Sequence, residues 1–213
     1  PIRFQNKVRV KLLKFYHVCS GHTREGDLEF WLCRIAASKG FLCEVVNIDI
    51  GHGAQFDLTD PTKVRRLELM AAIDGDGGHA GPSCGTWSRV RFRPGGPPPL
   101  RFRWCLWGRP DLSENDKKKV ALGNCMVLAS LAILEKIASR GPVTLEHPAD
   151  PGRSPYPSIF LTDEVIQWES RIGARRVTFP QCQWGCPAKK ETTLTGTAAN
   201  MELSLIHISE PTR

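Results

Sequence analysis

The chain has 213 residues, of which 41% are hydrophobic and 24% charged, and its 29 basic and 22 acidic side chains leave a formal net charge of +7. This length allows one domain with a sizeable core, and the composition excludes a disordered or collagen-like chain. No run of about 18 apolar residues is present, so no membrane-spanning segment is expected. The first residues, Pro1–Lys7, are not followed by the apolar stretch of a signal peptide.

The cysteines and the two ends of the chain narrow the class of protein further. The eight cysteines include no C-x-x-C pair, so no metal site is predicted. The protein is expected to be reduced and intracellular, and nuclear if its source is eukaryotic. It lacks an initiator methionine and is expected to be a fragment. Residues 203–213 resemble the translation of a transposase adapter used in sequencing libraries, so the expected domain is residues 1–202 and the tail is excluded from it.

Apolar patterns of strand and helix alternate along the chain. Two helix starts carry capping residues, Asp60 before Pro61 and Ser113 before the longest apolar stripe. The alternation predicts an α/β fold with a mostly parallel sheet and helices on both faces. In chain order the pattern predicts a strand at Phe15–Cys19, a helix at Asp27–Ser38, a strand at Phe41–Ile50, a helix at Pro61–Ala72, a strand at Gly78–Pro82, a helix at Ser113–Arg140, a strand at Val143–Glu146, a helix at Ile159–Ile172, and strands at Arg175–Phe179 and Thr192–Thr197.

Residues capable of chemistry lie where the predicted strands end. In parallel sheets ligands bind beyond the carboxyl ends of the strands. The strand-end residues are therefore expected to form one site. They are Ser20, Gly21, Asp49, Cys84, Glu146 and Gly185.

Residues 82–88 (Pro-Ser-Cys-Gly-Thr-Trp-Ser) are the most informative of these strand ends. A cysteine between a Pro-Ser turn and a glycine is expected in a loop rather than on a helix face. A thiol in such a loop can serve as a nucleophile when its surroundings favour the thiolate. Cys84 is therefore the candidate nucleophile.

A basic, aromatic segment follows, with six arginines and no acidic residue between Ser88 and Arg109. A solvated basic loop would explain the arginines alone. The aromatic residues interleaved with them favour contact with phosphates and bases of a nucleic acid. Those aromatic residues are Phe92, Phe102, Trp104 and Trp107.

Taken in order, these motifs resemble those of the cytosine-C5 methyltransferases. Residues 82–88 are similar to the family's nucleophile motif Pro-Pro-Cys-Gln-x-Phe-Ser, and residues 146–148 (Glu-His-Pro) to its Glu-Asn-Val/Pro motif. Residues 17–21 (His-Val-Cys-Ser-Gly) stand at the first cofactor motif, and residues 184–187 (Trp-Gly-Cys-Pro) at the Tyr-Gly-x-Pro motif. The resemblance covers roughly residues 15–197 and implies a Rossmann-like methyltransferase sheet with S-adenosylmethionine as cofactor.

The resemblance also implies a role for each matching residue. Cys84 would add to C6 of cytosine, and the Glu146 carboxyl would act at N3. The expected substrate is nucleic acid, with DNA preferred over RNA, and the target-recognition region would follow Thr197. The implied cofactor-binding residues are Ser20, Gly21, Asp49, Asp57 (or Asp60) and Pro82. The implied nucleic-acid contacts, several from a loop that closes on the extruded base, are Ser88, Arg89, Arg91, Arg101, Arg103 and Lys190.

Two other interpretations stay open. The chain departs from the family's pattern at His17, Gly85, His147 and Ala188. These departures favour, as the alternative, a catalytically degenerate nucleic-acid-binding domain from a mobile-element polyprotein. A cysteine hydrolase that pairs Cys84 with His147 is the third hypothesis.

Overall fold

The computed structural model describes residues 10–184 and 190–201, which form six strands and four α-helices. The predicted motif at residues 184–187 lies mostly outside this range, as do Ala188 and the tail at residues 203–213. In chain order the elements are β1 (Leu12–Val18), α1 (Leu28–Ser38), β2 (Leu42–Ile48), α2 (Pro61–Asp74), β3 (Gly77–Ala80), α3 (Glu114–Ala138), β4 (Val143–Pro148), α4 (Asp163–Ile172), β5 (Arg175–Pro180) and β6 (Glu191–Gly196).

The helices begin where the sequence places capping side chains. Asp60 accepts hydrogen bonds from the backbone N–H groups of the first turn of α2, and Ser113 accepts one from Asp116 N at 3.2 Å. Both predicted caps are confirmed. The predicted helix at residues 159–172 begins instead as a 3₁₀ turn, Ile159–Leu161, and α4 starts afresh after its own cap, Thr162.

The strands form one mixed sheet in the order β2-β1-β3-β4-β6-β5. β1 is parallel to both β2 and β3, and β3 is parallel to β4, whereas β6 is antiparallel to β4 and to β5. The α/β class is confirmed, but the prediction of a mostly parallel sheet is wrong. Only a short 3₁₀ turn, Gln181–Trp184, is described between β5 and β6, whereas a parallel return needs a crossover of a dozen or more residues, usually an α-helix.

Side chains alternate between the two faces of the sheet, and each face packs on different helices. A Cβ on Gly78 would lie 2.8 Å from Leu134 of α3, whereas one on Gly77 would lie 3.0 Å from Phe15 on the opposite face. Phe15 and Gly77 line a cleft with residues of α1. The main core lies on the α3 face, around Tyr16, Val127, Leu134, Ile137, Leu145 and Trp168.

Helix α3 is the one described helix that is long and apolar enough to span a bilayer by length and composition alone. Half of its most apolar stretch is buried inside the protein, and Val127, Leu134 and Ile137 are completely buried. Its packing is that of a core helix against the sheet.

The order of the first three strands creates a crevice at the carboxyl edge of the sheet. The chain runs from β1 to β2 on one side and then crosses to β3 on the other side. Loops that leave β1 and β3 in opposite directions open a cleft between them, and such switch points hold the ligands of open α/β sheets.

Candidate active site at the carboxyl edge of the sheet

Two cavities lie at this edge. The first, which we call the β1 cavity, has a volume of about 430 Å³ and is lined by residues from the ends of β1, β3 and β4 and from the start of α1. The second, the Cys84 cavity, has a volume of about 470 Å³ and lies beyond β3 and β4. Both fall within the 300–1,000 Å³ range that is typical of small-molecule sites.

The turn after β1 forms one wall of the β1 cavity. Cys19 adopts a left-handed backbone with φ of 57°, and its N–H donates to Ile48 O at 2.8 Å. This conformation is rare for a residue with a Cβ and reverses the chain sharply. The predicted cofactor residue Ser20 lines the cavity directly after this reversal.

Asp49 ties the ends of β1 and β2 together. Its carboxylate accepts from Gly21 N at 3.2 Å and from Gly51 N at 2.9 Å. The His52 ring nitrogen also contacts Gly21 O at 2.7 Å. Asp49 therefore holds the turn that the sequence assigns to cofactor binding, while Asp49 and Gly21 themselves line neither cavity.

The carboxylates of Asp57 and Asp60 form hydrogen bonds within their own segments of the chain. Asp57 accepts from both the N–H and the hydroxyl of Thr59, at 2.9 and 2.6 Å, and these hydrogen bonds lower the pKa of its carboxyl group. Asp60 caps α2. Neither residue lines the β1 cavity or the Cys84 cavity, so the structure does not bring them to the other predicted residues.

Cys84 lies in a loop directly after β3, as predicted. Pro82 before it is buried, and Trp87 N donates to Cys84 O at 2.9 Å to close a turn. Cys84 itself is a free, half-buried thiol that lines the Cys84 cavity. The Ser88 side chain caps the next turn by accepting from Val90 N at 3.2 Å. The thiol is thus presented by a short, internally bonded turn.

Glu146 lies between the two cavities. Its side chain lines the β1 cavity, and a Cβ on Gly81 would meet Glu146 Oε2 at 3.6 Å. The other oxygen, Oε1, is 3.5 Å from Lys190 Nζ, and Lys190 lines the Cys84 cavity. Glu146 therefore lines the β1 cavity and is linked through Lys190 to the Cys84 cavity, which it does not itself line.

The prediction that Arg101 contacts nucleic acid is wrong. Arg101 is completely buried and donates to acceptors inside the protein. Arg91 and Arg103 are also engaged internally: Arg91 donates to Gly85 O at 2.7 Å, and Arg103 pairs with Asp150 at 2.9 Å. These three arginines therefore stabilise the fold of the protein through internal hydrogen bonds and ion pairs.

Arg89 and Arg93 are the exception in this segment. Both are exposed, and both line the Cys84 cavity together with Ser88 and Lys190. These three cationic side chains outnumber the one acidic residue in the same lining, Glu191, and the net positive charge around the thiol favours anionic ligands such as phosphate groups. Of the predicted nucleic-acid contacts, Ser88, Arg89 and Lys190 are brought to one surface.

His147 forms part of the buried wall of the Cys84 cavity. Its side chain is 1% exposed, and neither ring nitrogen has a hydrogen-bond partner among the described residues. Burial, followed by the positive charges of Lys190 and Arg101, lowers the pKa of His147 to about 3. The Cys84–His147 pair that the hydrolase hypothesis needs is not formed in this structure.

The buried, neutral state of His147 predicts an acid-sensitive fold. Its folded pKa lies below the usual value, so the unfolded chain binds the proton first and stability falls as the pH drops from about 6.5 toward 3. Because of His147, the free energy of unfolding is expected to fall by about 2 kcal/mol from pH 7 to pH 5. In His147→Leu this part of the loss should be absent. Urea unfolding of both proteins at the two pH values measures this difference. Equal losses in the two proteins would contradict it.

His79 and Gln181 are among the residues of the site that were not predicted from the sequence. His79 lines the β1 cavity beside Glu146, donates to or accepts from Thr144 Oγ1 at 2.8 Å, and has its pKa lowered to about 4 by burial. Gln181 Nε2 donates to Glu146 Oε1 at 3.4 Å. His79 could have been identified from the sequence because it lies in the predicted strand that leads to Cys84. Nothing in the local sequence marks Gln181 as a site residue.

Within residues 10–184 and 190–201, no three His, Cys, Asp or Glu side chains are grouped so as to hold a metal ion. The described site consists of the Cys84 thiol, the Glu146 carboxylate, the cationic side chains around them and the two cavities. The chain matches no protein-family model, and no curated protein is significantly similar to it.

Proposed function

We propose that this protein transfers a methyl group from S-adenosylmethionine to C5 of cytosine in nucleic acid, with DNA as the preferred substrate, on a Rossmann-like methyltransferase sheet. The observation that carries the proposal is that Glu146 lines the cavity next to the β1 turn and lies 3.5 Å from Lys190, which lines the neighbouring cavity that contains Cys84. A bisubstrate reaction needs two adjacent spaces of this kind, one for the donor and one for the acceptor.

In the proposed reaction, Cys84 and Glu146 act together on the cytosine ring. The Cys84 thiolate forms a bond to C6 of the base while Glu146 shares a proton with N3, and this makes C5 nucleophilic. C5 then takes the methyl group, and the sulfonium that carried it is left as a neutral thioether. A general base removes the C5 proton, the N3 proton returns to Glu146, and the bond between Sγ and C6 breaks to restore the thiolate. Lys190 and Gln181 hold the Glu146 carboxylate from the other side at 3.5 and 3.4 Å.

The β1 cavity has features that suit the cofactor. Asp27 and Glu146 supply carboxylates for a cationic group, and Arg24 supplies a guanidinium for a carboxylate. Ser20 lines the cavity, and Asp49 holds the adjoining turn through Gly21 N. When bound there, S-adenosylmethionine supplies an activated methyl group, and this chain's residues orient it toward the base.

The Cys84 cavity suits an extruded base with its phosphates. Arg89, Arg93 and Lys190 surround it with positive charge, and Trp87 forms an apolar wall. A base inside a duplex must leave the stack to reach Cys84. Contacts between the cationic side chains and the phosphates supply affinity without base specificity.

Covalent trapping tests the proposal. A DNA duplex that contains 5-fluorocytosine, incubated with the protein and S-adenosylmethionine, is expected to form an adduct at Cys84, because the fluorine at C5 cannot leave as a proton does. Mass spectrometry of the digested adduct locates the modified peptide. Cys182→Ser is the control, since Cys182 is an exposed thiol that lines neither cavity, and it should trap normally. No adduct with DNA or RNA would overturn the proposal.

Nucleic-acid binding without catalysis is the second candidate. It is favoured by the fact that Arg89, Arg93 and Lys190 form a cationic surface that needs no cofactor. Titration calorimetry with S-adenosylmethionine separates the two candidates. Micromolar binding supports the methyltransferase, whereas nucleic-acid binding without any cofactor affinity supports the second candidate.

A further inference from the structure

Arg101 carries a buried positive charge that has no acidic partner among the described residues. Its side chain is completely buried, and burial lowers the pKa of its guanidinium to about 9. All of its described hydrogen bonds go to neutral acceptors. An unpaired charge in a protein interior is costly, so the position calls for an explanation beyond packing.

The guanidinium joins the Cys84 turn to helix α3. Nε and Nη2 both donate to Thr86 Oγ1, at 3.1 and 3.0 Å, and the guanidinium carbon lies 3.9 Å from the centre of the Trp87 ring. On the opposite side it donates to Val120 O at 3.1 Å and to Asn124 Oδ1 at 2.7 Å. Four hydrogen bonds and a cation–π contact thus connect the two elements.

A glycine in the middle of α3 makes this approach possible. A Cβ on Gly123 would lie 3.0 Å from Thr86 Oγ1 and 3.2 Å from Arg101 Nη2. Glycine in a helix interior costs about 1 kcal/mol relative to alanine. The close contact between the helix and the Thr86–Arg101 pair explains a residue that the helix alone disfavours.

We propose that Arg101 is a positioning residue for Cys84, which fixes the turn that presents the thiol by clamping Thr86 and Trp87 to α3. Thr86 and Trp87 follow Cys84 within the same turn, and Trp87 N donates to Cys84 O. Without the clamp, the turn is free to open and the half-buried thiol becomes more accessible. The proposal rests on the proposed function in one respect, the identity of Cys84 as the nucleophile.

Cys84-specific alkylation tests the clamp. Thr86→Val keeps the shape of the side chain but removes the acceptor of two hydrogen bonds from Arg101. Loss of hydrogen bonds from a charged donor is expected to let the turn open. Iodoacetamide should then modify Cys84 about tenfold faster than in the unsubstituted protein, when both rates are divided by that of the exposed Cys182 in the same sample. Cys19 is half-buried, and burial raises the pKa of its thiol to about 12, so it should react slowly while the fold is intact and faster if the protein unfolds. Peptide mass spectrometry over time gives all three rates.

Three further variants complete the design. Thr86→Ser restores the hydroxyl acceptor and should return the Cys84 rate to within about twofold of the original. Arg101→Met should reproduce the effect of Thr86→Val, whereas Arg109→Met, which removes a charge from the same segment but outside the clamp, should not. An unchanged or slower Cys84 rate in Thr86→Val, with Cys19 protected, would overturn the proposal.

The alkylation result is separable from methyl transfer. Iodoacetamide needs neither nucleic acid nor S-adenosylmethionine, so a clamp effect without any trapped adduct would leave this inference intact and reject only the proposed function. Trapping that proceeds at the original rate in Thr86→Val, together with unchanged alkylation, would retain the proposed function and reject the clamp.

Discussion

Replacing Glu146 with glutamine is expected to slow adduct formation at Cys84 by about 10³-fold, because a positioned acid–base group contributes 10²–10⁴ to a rate. The amide keeps the shape of the side chain but cannot share a proton with N3 of the base in the same way. Affinity for nucleic acid should stay the same or rise, since the carboxylate next to Lys190 loses its charge. Single-turnover trapping and a binding titration on the same DNA measure the two effects separately.

Glu44→Gln is the matched control for this experiment. Glu44 also lies on a parallel strand and pairs with a lysine, but it is at the opposite end of β2 from the site. The control should trap at the original rate. Equal rates for Glu146→Gln and the unsubstituted protein would remove Glu146 from the reaction, whatever the outcome for Cys84.

Gly196→Ala is expected to destabilise the fold by about 3 kcal/mol, at the upper end of what overpacking costs. A Cβ at this position would lie 1.9 Å from Val143 O and 2.9 Å from Thr144 Cα, and both atoms belong to the β4 backbone. Because backbone atoms cannot turn aside as a flexible side chain does, β6 would have to move away from β4. The thermal midpoint should fall by about 10 °C for a chain of this size.

Gly85→Ala provides the comparison for stability. The nearest atom to a Cβ on Gly85 is Ser83 Oγ at 3.7 Å, which is ordinary van der Waals contact. Its thermal midpoint should stay close to that of the unsubstituted protein. Similar midpoints for Gly196→Ala and Gly85→Ala would show that β6 does not pack on β4 as described.

The strand ends could be predicted from the sequence because local patterns determine them. Alternating apolar residues and caps such as Asp60 and Ser113 mark where elements begin, and parallel strands bring their carboxyl ends to one edge. Ser20, Cys84 and Glu146 are accordingly predicted at the same edge of the sheet, and the structure has them there. The order of strands and helices follows from the same patterns.

The partners of β6 could not be predicted in the same way. A β-pattern indicates that a strand exists but not which strand it pairs with or in which direction. Since β6 is antiparallel to β4, its first residues lie at the carboxyl edge, where Thr192 pairs with Pro148. This reversal brings Lys190 next to Glu146 and adds a cation to the site.

Arg101 shows a second limit of sequence reasoning. Its neighbours in the chain are basic and aromatic, and that composition favours an exposed contact with phosphates. Apart from Leu106 O, five residues away, its acceptors belong to Thr86, Val120 and Asn124, which lie 15–23 residues away in the sequence. Burial of a charge depends on such distant acceptors, which only the folded chain brings together.

The position of β6 has a consequence for the order in which the sheet is completed during synthesis. The strands β2, β1, β3 and β4 are contiguous, and all four precede β5 in the chain. β5 is made before β6, yet within the described sheet β6 is its neighbour. A chain emerging from the ribosome can therefore assemble the four parallel strands first, while β5 stays without a partner until β6 inserts beside it. The Lys190 end of the site is completed in that same last step.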